Sequence, residues 1–341
     1  MLVPGDWVTV GIDNGGTANN GTVLDCDGRF LVDTMAEVPS LVRKGPEMAI
    51  PALADCLDKL LAMTGVPREK VRAVGLDTPG PASASGVLMT GGATNFGHPS
   101  WSTFDIRSAL EDRLGIPVVY NNDGNAAALY AHYVWHGAQA QARSSVSAII
   151  GTGFGAGVVA DGAIIKGAAG MAGELGHMMI PLQGLLEADQ GLPSCNCGQD
   201  GDAESVASLS GITRNLLPYW LTRFPGHELA DVDLKKAAKM IRGYGEHGDE
   251  MALEIFRQQA MAIGRVFSIA AKFTDPDTYF VGGGVIDAAP HFRDWFVATV
   301  KEHTVLFVEQ AEIAEITLVP DLDMAGARGS AIAAAEWVKK Q

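Results

Sequence analysis

At 341 residues the chain exceeds one typical core and points to two lobes of roughly 150 residues each. Its formal net charge of −15 and the absence of any Lys/Arg cluster disfavour a nucleic-acid backbone or an anionic membrane surface as partner. No basic segment followed by an apolar run opens the chain, no long uninterrupted apolar stretch follows, and four cysteines make no disulfide framework for so large a chain, so a soluble, cytoplasmic protein in a reducing compartment is expected.

The first predicted strand, 7–13, ends on Asp13, and Asn14-Gly15-Gly16-Thr17 reverses the chain. Strands around 22–24 and 30–35, parted by Asp27-Gly28, complete an antiparallel meander. Between Glu47 and Met63, Ile50, Leu53, Leu57, Leu60 and Leu61 recur at helical spacing, and Gly65-Val66-Pro67 ends the run. A short buried strand at 71–76 leads into Pro79-Gly80-Pro81. A helix at 107–114 and a strand at 118–120 deliver Asn121-Asn122-Asp123-Gly124-Asn125 to a strand's carboxyl end, where polar residues are more often functional than on a strand face. The strand at 147–150 feeds Gly151-Thr152-Gly153-Phe154-Gly155, and Asp161-Gly162 marks a two-residue hairpin turn. A long amphipathic helix at 251–273, a strand at 279–281 running into Gly282-Gly283-Gly284, and a helix at 329–339 complete the pattern. The repeated strand, glycine turn and strand suggest two lobes built on one plan, with their boundary near Asp123.

Three glycine turns follow predicted strands: Gly15-Gly16-Thr17, Gly151-Thr152-Gly153 and Gly282-Gly283-Gly284. Glycine lets backbone N–H groups approach an anion, so two facing turns can hold nucleotide phosphates, although hairpins and tight strand exits need glycine as well. Neither the P-loop nor the dinucleotide-binding glycine pattern occurs. Gly173-Glu174-Leu175-Gly176-His177 and Cys195-Asn196-Cys197-Gly198 place an imidazole and two thiols at a spacing that more often holds a metal than a disulfide. Glu174 and Glu204 flank that cluster and suit hydrogen bonds to a polyhydroxylated ligand. Asn122-Asp123 also reads as an ordinary Asx turn. His98, His132, His136 and His227 lack partners at metal spacing and are expected on the surface or in loops, with His98 beside Asn95 the one to watch.

Asp13-Asn14-Gly15-Gly16-Thr17, Pro79-Gly80-Pro81, Asn95 with Trp101, Asn122-Asp123-Gly124-Asn125, Gly151-Thr152-Gly153-Phe154-Gly155, Gly173-Glu174-Leu175-Gly176-His177, Cys195-Asn196-Cys197-Gly198 and Gly282-Gly283-Gly284 stand in order. The chain thereby resembles the ROK (repressor, open reading frame, kinase) family of sugar kinases along nearly its whole length. The resemblance implies an α/β, two-lobed actin-like ATPase (ribonuclease H-like) fold with ATP and sugar in the interlobe cleft. It implies a smaller lobe, 1–122, completed by a C-terminal helix at about 325–341, and a larger lobe, 123–324, carrying a zinc loop. Asp123 matches the general base, and Asn95, Asn122, Glu174, His177 and Glu204 match sugar-binding positions. Asp13, Gly15, Gly16, Thr17, Gly151, Thr152, Gly153, Gly283 and Gly284 fall to the Mg²⁺-nucleotide. His177, Cys195 and Cys197 match three zinc ligands.

The chain departs from that pattern in three places. Asp202 replaces the family's third cysteine, so the zinc site implied is His-Cys-Cys-Asp, with loss of zinc as the alternative. An insertion around 185–189 lengthens the interval from His177 to Cys195. Ala18 stands where many relatives carry lysine, which removes a positive charge near the phosphates. The activity implied is ATP- and Mg²⁺-dependent phosphorylation of a hexose or sugar-like hydroxyl, with glucose-type 6-phosphorylation the default. A kinase for an unusual amino sugar, ketose or cyclitol is the alternative, and a non-catalytic sugar sensor is the alternative of another class. DNA-binding relatives carry an added N-terminal segment of roughly eighty residues, for which a first strand at residue 7 leaves no room. A homodimer is expected, with no nucleic-acid or membrane partner.

Overall fold

The computed structural model describes residues 6–80, 83, 85–88, 95–320 and 324–341. Pro81, part of the Pro79-Gly80-Pro81 motif, lies outside the described residues. In chain order the strands are β1 (Val8–Asn14), β2 (Ala18–Asp25), β3 (Ala36–Pro39), β4 (Val71–Thr78), β5 (Val118–Asn122), β6 (Ser145–Ile150), β7 (Phe154–Ala160), β8 (Ala163–Ile164), β9 (Thr278–Gly283) and β10 (Glu315–Leu318). The long helices are α1 (Pro46–Thr64), α2 (Ile106–Leu114), α3 (Asp123–His136), α4 (Leu234–Glu246), α5 (Glu250–Thr274), α6 (Pro290–Glu302) and α7 (Ala325–Lys339). Among the described residues no helix is long and apolar enough to cross a membrane.

The chain divides into two compact units. The first gathers the described residues of Met1–Ala142, Gly157–Gly173 and Pro320–Gln341. Its five-stranded sheet has the order β3-β2-β1-β4-β5. β2 and β3 continue antiparallel from β1, while β4 and β5 run parallel to it. The third strand is not at 30–35, as the turn pattern suggests, but at Ala36–Pro39, with Phe30 making only an isolated bridge to Leu24. A four-residue edge strand containing Glu37 and Pro39 carries little hydrophobic alternation, which explains the misplacement.

Alternation along β1 sends Val8, Val10 and Ile12 to one face, where Leu53, Leu57 and Leu60 of α1 and Leu110 of α2 cover them. The opposite face receives α7. A Cβ on Gly11 would lie 1.9 Å from the Ala327 carbonyl oxygen, so the helix rests directly on the strand and tolerates only glycine there. Thr9 Oγ1 donates to the Ala331 carbonyl at 2.9 Å and pins the contact. The Ala- and Gly-rich composition of α7 follows from that approach, because larger side chains would lift it off the sheet.

The second unit comprises Arg143–Ala156 and Glu174–Val319. Its sheet is built on β6 and β9, which pair in parallel with Ile150 opposite Gly283, and β10 adds to the far side of β9. β7 starts in this unit and continues past Ala156 into segments counted with the first, where it pairs antiparallel with β8. Asp161 (φ 47°) and Gly162 (φ 71°) supply the two left-handed residues that the hairpin turn requires. Helix α5 buries Ile255, Ile263, Val266 and Phe267, and Phe267 meets Tyr279 of β9 at a ring separation of 5.2 Å.

Candidate active site

In the first unit the parallel pairing of β1, β4 and β5 brings three polar strand ends together. Asp13 is opposite Asp77, Asp77 opposite Asn121, and Thr78 opposite Asn122. Beyond Asp13 the Gly15-Gly16-Thr17 turn closes with Gly15 N donating to Ala18 O at 2.9 Å, and Ser40 N donates to Thr17 O at 3.0 Å. Asn95 packs against this turn: a Cβ on Gly16 would lie 2.5 Å from the Asn95 carboxamide.

Asn122 ends β5 and caps α3, its Oδ1 accepting from Asn125 N at 2.7 Å. The Asx geometry is therefore present, and it is what presents Asp123 on the first turn of the helix. Asp123 is exposed, and its Oδ1 accepts from its own neighbour Gly124 N at 2.8 Å. Behind it, Lys166 Nζ donates to the Tyr120 carbonyl at 3.1 Å, and burial, aided by Lys340, lowers its pKa to about 8.

Asp77 lies one residue beyond the strand that the apolar run at 71–76 predicts. It is fully buried and accepts from Ser330 Oγ at 2.7 Å through Oδ2. Burial foremost, and then the charge of Asp13, hold its carboxyl well above the usual carboxylate range. Burial also raises Asp13, opposed by hydrogen bonds from Asp77 and Asn20. Of the two, Asp77 is the carboxyl held more strongly toward its neutral form. A carboxylate directly before Thr-Pro-Gly at the end of an apolar strand was the available signal.

In the second unit Gly151-Thr152-Gly153 links β6 to β7, and Gly283 ends the neighbouring strand β9 with φ 92°. Gly151 N donates to Gly153 O at 3.0 Å, while Leu209 N and Ser210 N donate to the carbonyls of Gly151 (3.0 Å) and Thr152 (3.1 Å). Beside the turn lies a cavity of 320 Å³ walled by Thr152, Gly284, Lys239, Arg242, Phe256 and Phe292. Phe256 and Phe292 meet edge to face at 5.0 Å, and Arg242 Nη1 donates to Gly284 O at 2.7 Å. This is an apolar slot with cations at its side, next to two glycine turns. Its walls come from segments more than a hundred residues apart, which no local pattern in the sequence reveals.

The same unit gathers His177, Cys195, Cys197 and Asp202, with one ligand atom of each within 4.8 Å of all the others. His177 Nδ1 is 3.1 Å from Asp202 Oδ2, and Cys197 Sγ donates to that oxygen at 3.4 Å. Asp202 Oδ1 accepts from Ser205 N at 2.8 Å, which fixes the carboxylate's orientation. The hydrogen bond with Asp202 raises the His177 pKa, and burial pushes the Cys195 thiol up. For Asp202, burial works upward but hydrogen bonds from His177, Cys195, Ser205 and Cys197 outweigh it. One imidazole, two thiols and one carboxylate at this separation fit a tetrahedral zinc site. Glu204, two residues on, accepts from Phe154 N at 2.8 Å. Glu174 immediately precedes the turn Leu175–His177. The inserted segment is anchored: Gln258 Nε2 of α5 donates to Leu185 O at 3.0 Å, and Tyr219 donates to Asp189 at 2.8 Å.

The expectation of surface or loop histidines fails at His132, which lies inside α3, fully buried with Nε2 2.8 Å from Ala140 O, and is met at His227, which lies in the loop before Glu228–Asp231, 3.2 Å from Asp249. His98 is exposed, and its Nδ1 accepts from Ser100 N at 3.3 Å.

A model of the ROK family matches residues 9–337. The chain belongs to the ROK family. It is 32% identical over 298 residues to a glucokinase of Halalkalibacterium halodurans, covering 86% of this chain and 84% of that protein. Among solved structures it is similar to a ROK hexokinase from Thermus thermophilus, at a TM-score of 0.78 and 29% identity over 98% of this chain and all of that one. It is also similar to a ROK glucokinase from Streptomyces griseus in complex with glucose and AMPPNP, at a TM-score of 0.67 and 25% identity over 96% and 99% of the two chains. The actin-like ATPase fold expected of a ROK kinase is thus this chain's fold.

Proposed function

We propose that this ROK protein is an ATP-dependent carbohydrate kinase that phosphorylates a hexose, with the 6-hydroxyl of a glucose-type sugar as its acceptor. The observation that carries this reading is Asp123, an exposed carboxylate held on the first turn of α3 by the Asn122 cap. Asp123 is the general base. It takes the proton of the acceptor hydroxyl as that oxygen attacks the γ-phosphorus. Asn95, Asn122, Glu174, His177 and Glu204 hydrogen-bond the sugar and orient that hydroxyl. The cavity walled by Phe256 and Phe292 receives the nucleoside, and the turns at Gly15–Thr17, Gly151–Gly153 and Gly283–Gly284 present amides to its phosphates.

Asp13 would face the Mg²⁺ that accompanies the nucleotide, which when bound would disperse phosphoryl charge. Zinc in the His177, Cys195, Cys197 and Asp202 set supplies a structural crosslink, and these residues use it to fix the loop before Glu204. The protein works as a cytoplasmic homodimer without nucleic-acid or membrane partners.

The test is ADP release from Mg-ATP over a panel of hexoses, N-acetylated and amino hexoses, ketoses and cyclitols, for the native protein and Asp123→Asn. Turnover on glucose-type sugars that falls roughly 10²- to 10⁴-fold in the variant is the expected outcome. Binding of a sugar with no turnover of any panel member by the native protein would replace the kinase with a sensor.

A further inference from the structure

The short helix Glu204–Ala207 joins two features of the second unit that are distant in sequence. On one side Asp202, a member of the four-residue cluster, is tied to it twice: Ser205 N donates to Asp202 Oδ1 at 2.8 Å and Ser205 Oγ to the Asp202 carbonyl at 2.6 Å. On the other side Glu204 Oε2 accepts from Phe154 N at 2.8 Å, while Cys195 Sγ, also of the cluster, donates to Glu204 Oε1 at 3.5 Å. Phe154 closes the Gly151–Gly153 turn. A Cβ on Gly153 would lie 2.8 Å from Glu204 Oε2, so the carboxylate packs directly on that turn.

The turn's remaining hydrogen bonds limit what it offers a ligand. Gly151 N is spent on Gly153 O, and Phe154 N is spent on Glu204. Among the described residues no acceptor engages Thr152 N or Gly153 N. These two amides are left for a ligand, and the Glu204–Phe154 bond anchors the peptide that directly follows them in the chain. A cation held by His177, Cys195, Cys197 and Asp202 closes the loop from residue 177 to residue 202 and so fixes the root of the helix that carries Glu204.

We propose that Glu204 is a positioning residue for the nucleotide, holding the phosphate-binding turn in place from the four-residue cluster, so that zinc in the cluster raises affinity for nucleotide phosphates. This rests on the reading that the nucleotide occupies the cavity beside Gly151 and Gly284. Coupling of this kind is reciprocal, so the nucleotide raises zinc affinity by the same factor.

The experiment measures the Kd of ADP by titration calorimetry on the full chain in three forms: zinc-loaded, chelator-stripped, and zinc-loaded Glu204→Gln. Zinc affinity is measured in parallel by competition with a chromophoric chelator, with and without ADP. Stripping is expected to weaken ADP about tenfold, within the range usual for coupled sites. Glu204→Gln is expected to retain zinc, to bind ADP as weakly as the stripped protein, and to lose the effect of ADP on zinc affinity. Should stripping unfold the chain, the zinc-loaded variant and the reciprocal zinc measurement still decide. Tight ADP binding that is indifferent to both zinc and Glu204→Gln overturns the coupling and leaves the kinase reading standing. A chain that binds no zinc overturns it as well, and one that binds no ADP in any form overturns both.

Discussion

Replacing Asn122 separates two jobs held by one side chain. Its Oδ1 accepts from Asn125 N at 2.7 Å, and both residues are buried, 6% and 4% exposed, so no water takes over that amide when the cap is removed. Loss of an ordinary cap costs about 1 kcal/mol, and a buried amide left without a partner adds to it, which puts Asn122→Ala at about 2 kcal/mol. The serine variant keeps an oxygen at the cap and recovers most of that stability. On the kinase reading, it does not recover the longer reach of the carboxamide toward the sugar. Urea denaturation should therefore rank the stabilities as native, then serine, then alanine, with m unchanged. Steady-state kinetics should show both variants with a raised KM for sugar, and the alanine variant alone with a further fall in kcat, because its helix terminus no longer aims Asp123. Equal stability of the serine and alanine variants would refute the capping argument. Equal kcat would refute the claim that the cap orients the base.

Two further substitutions probe the first unit. Asp77→Asn keeps an acceptor for Ser330 Oγ and a donor toward Asp13 but cannot ionise. Because the folded state raises the Asp77 pKa, native stability falls as pH rises above the unfolded carboxyl value of about 3.9. The variant's stability relative to native should therefore grow between pH 4 and pH 7 in denaturant titrations, and parallel pH profiles would contradict the raised Asp77 pKa. Gly11→Ala drives a methyl to 1.9 Å from Ala327 O and 2.5 Å from Ala331 N, both backbone atoms of α7. The helix must shift, at about 3 kcal/mol, and a change below about 1 kcal/mol by chemical denaturation would show that α7 does not lie on β1 as described.

What the sequence made legible was local. The glycine turns, the Asp161-Gly162 hairpin and helices α1 and α5 each announce themselves through turn chemistry or a period within a short window. The strand at 36–39 escaped because an edge strand of four residues has too few positions to show alternation. His132 escaped for a related reason: a histidine on a helix looks solvent-facing until the Ala140 carbonyl that satisfies it is located. The site was legible residue by residue, through ordered motifs, but its contacts were not. Asn95 against Gly16, Glu204 against Phe154 and Asp77 against Ser330 are separated by 79, 50 and 253 residues and arise only from strand register and helix docking.

The missing lysine at position 18 acquires a physical counterpart in the Asp13–Asp77 pair. Ala18 opens β2 opposite Pro39 and offers its carbonyl to Gly15 N, so the hairpin closes without a charged side chain there. A phosphate approaching a hairpin backed by two ionised carboxylates, with no lysine to offset them, would meet strong repulsion. Burying Asp77 in full, with Asp13 in register beside it, raises its pKa against the opposing Ser330 Oγ hydrogen bond and so favours the neutral form, which reduces that charge. On the kinase reading, the remaining charge on Asp13 is the one Mg²⁺ neutralises. The upward shift at Asp77 thereby works by subtraction toward what a lysine does by addition, and Asp77→Asn, which is neutral at every pH, should leave the KM for ATP near its native value.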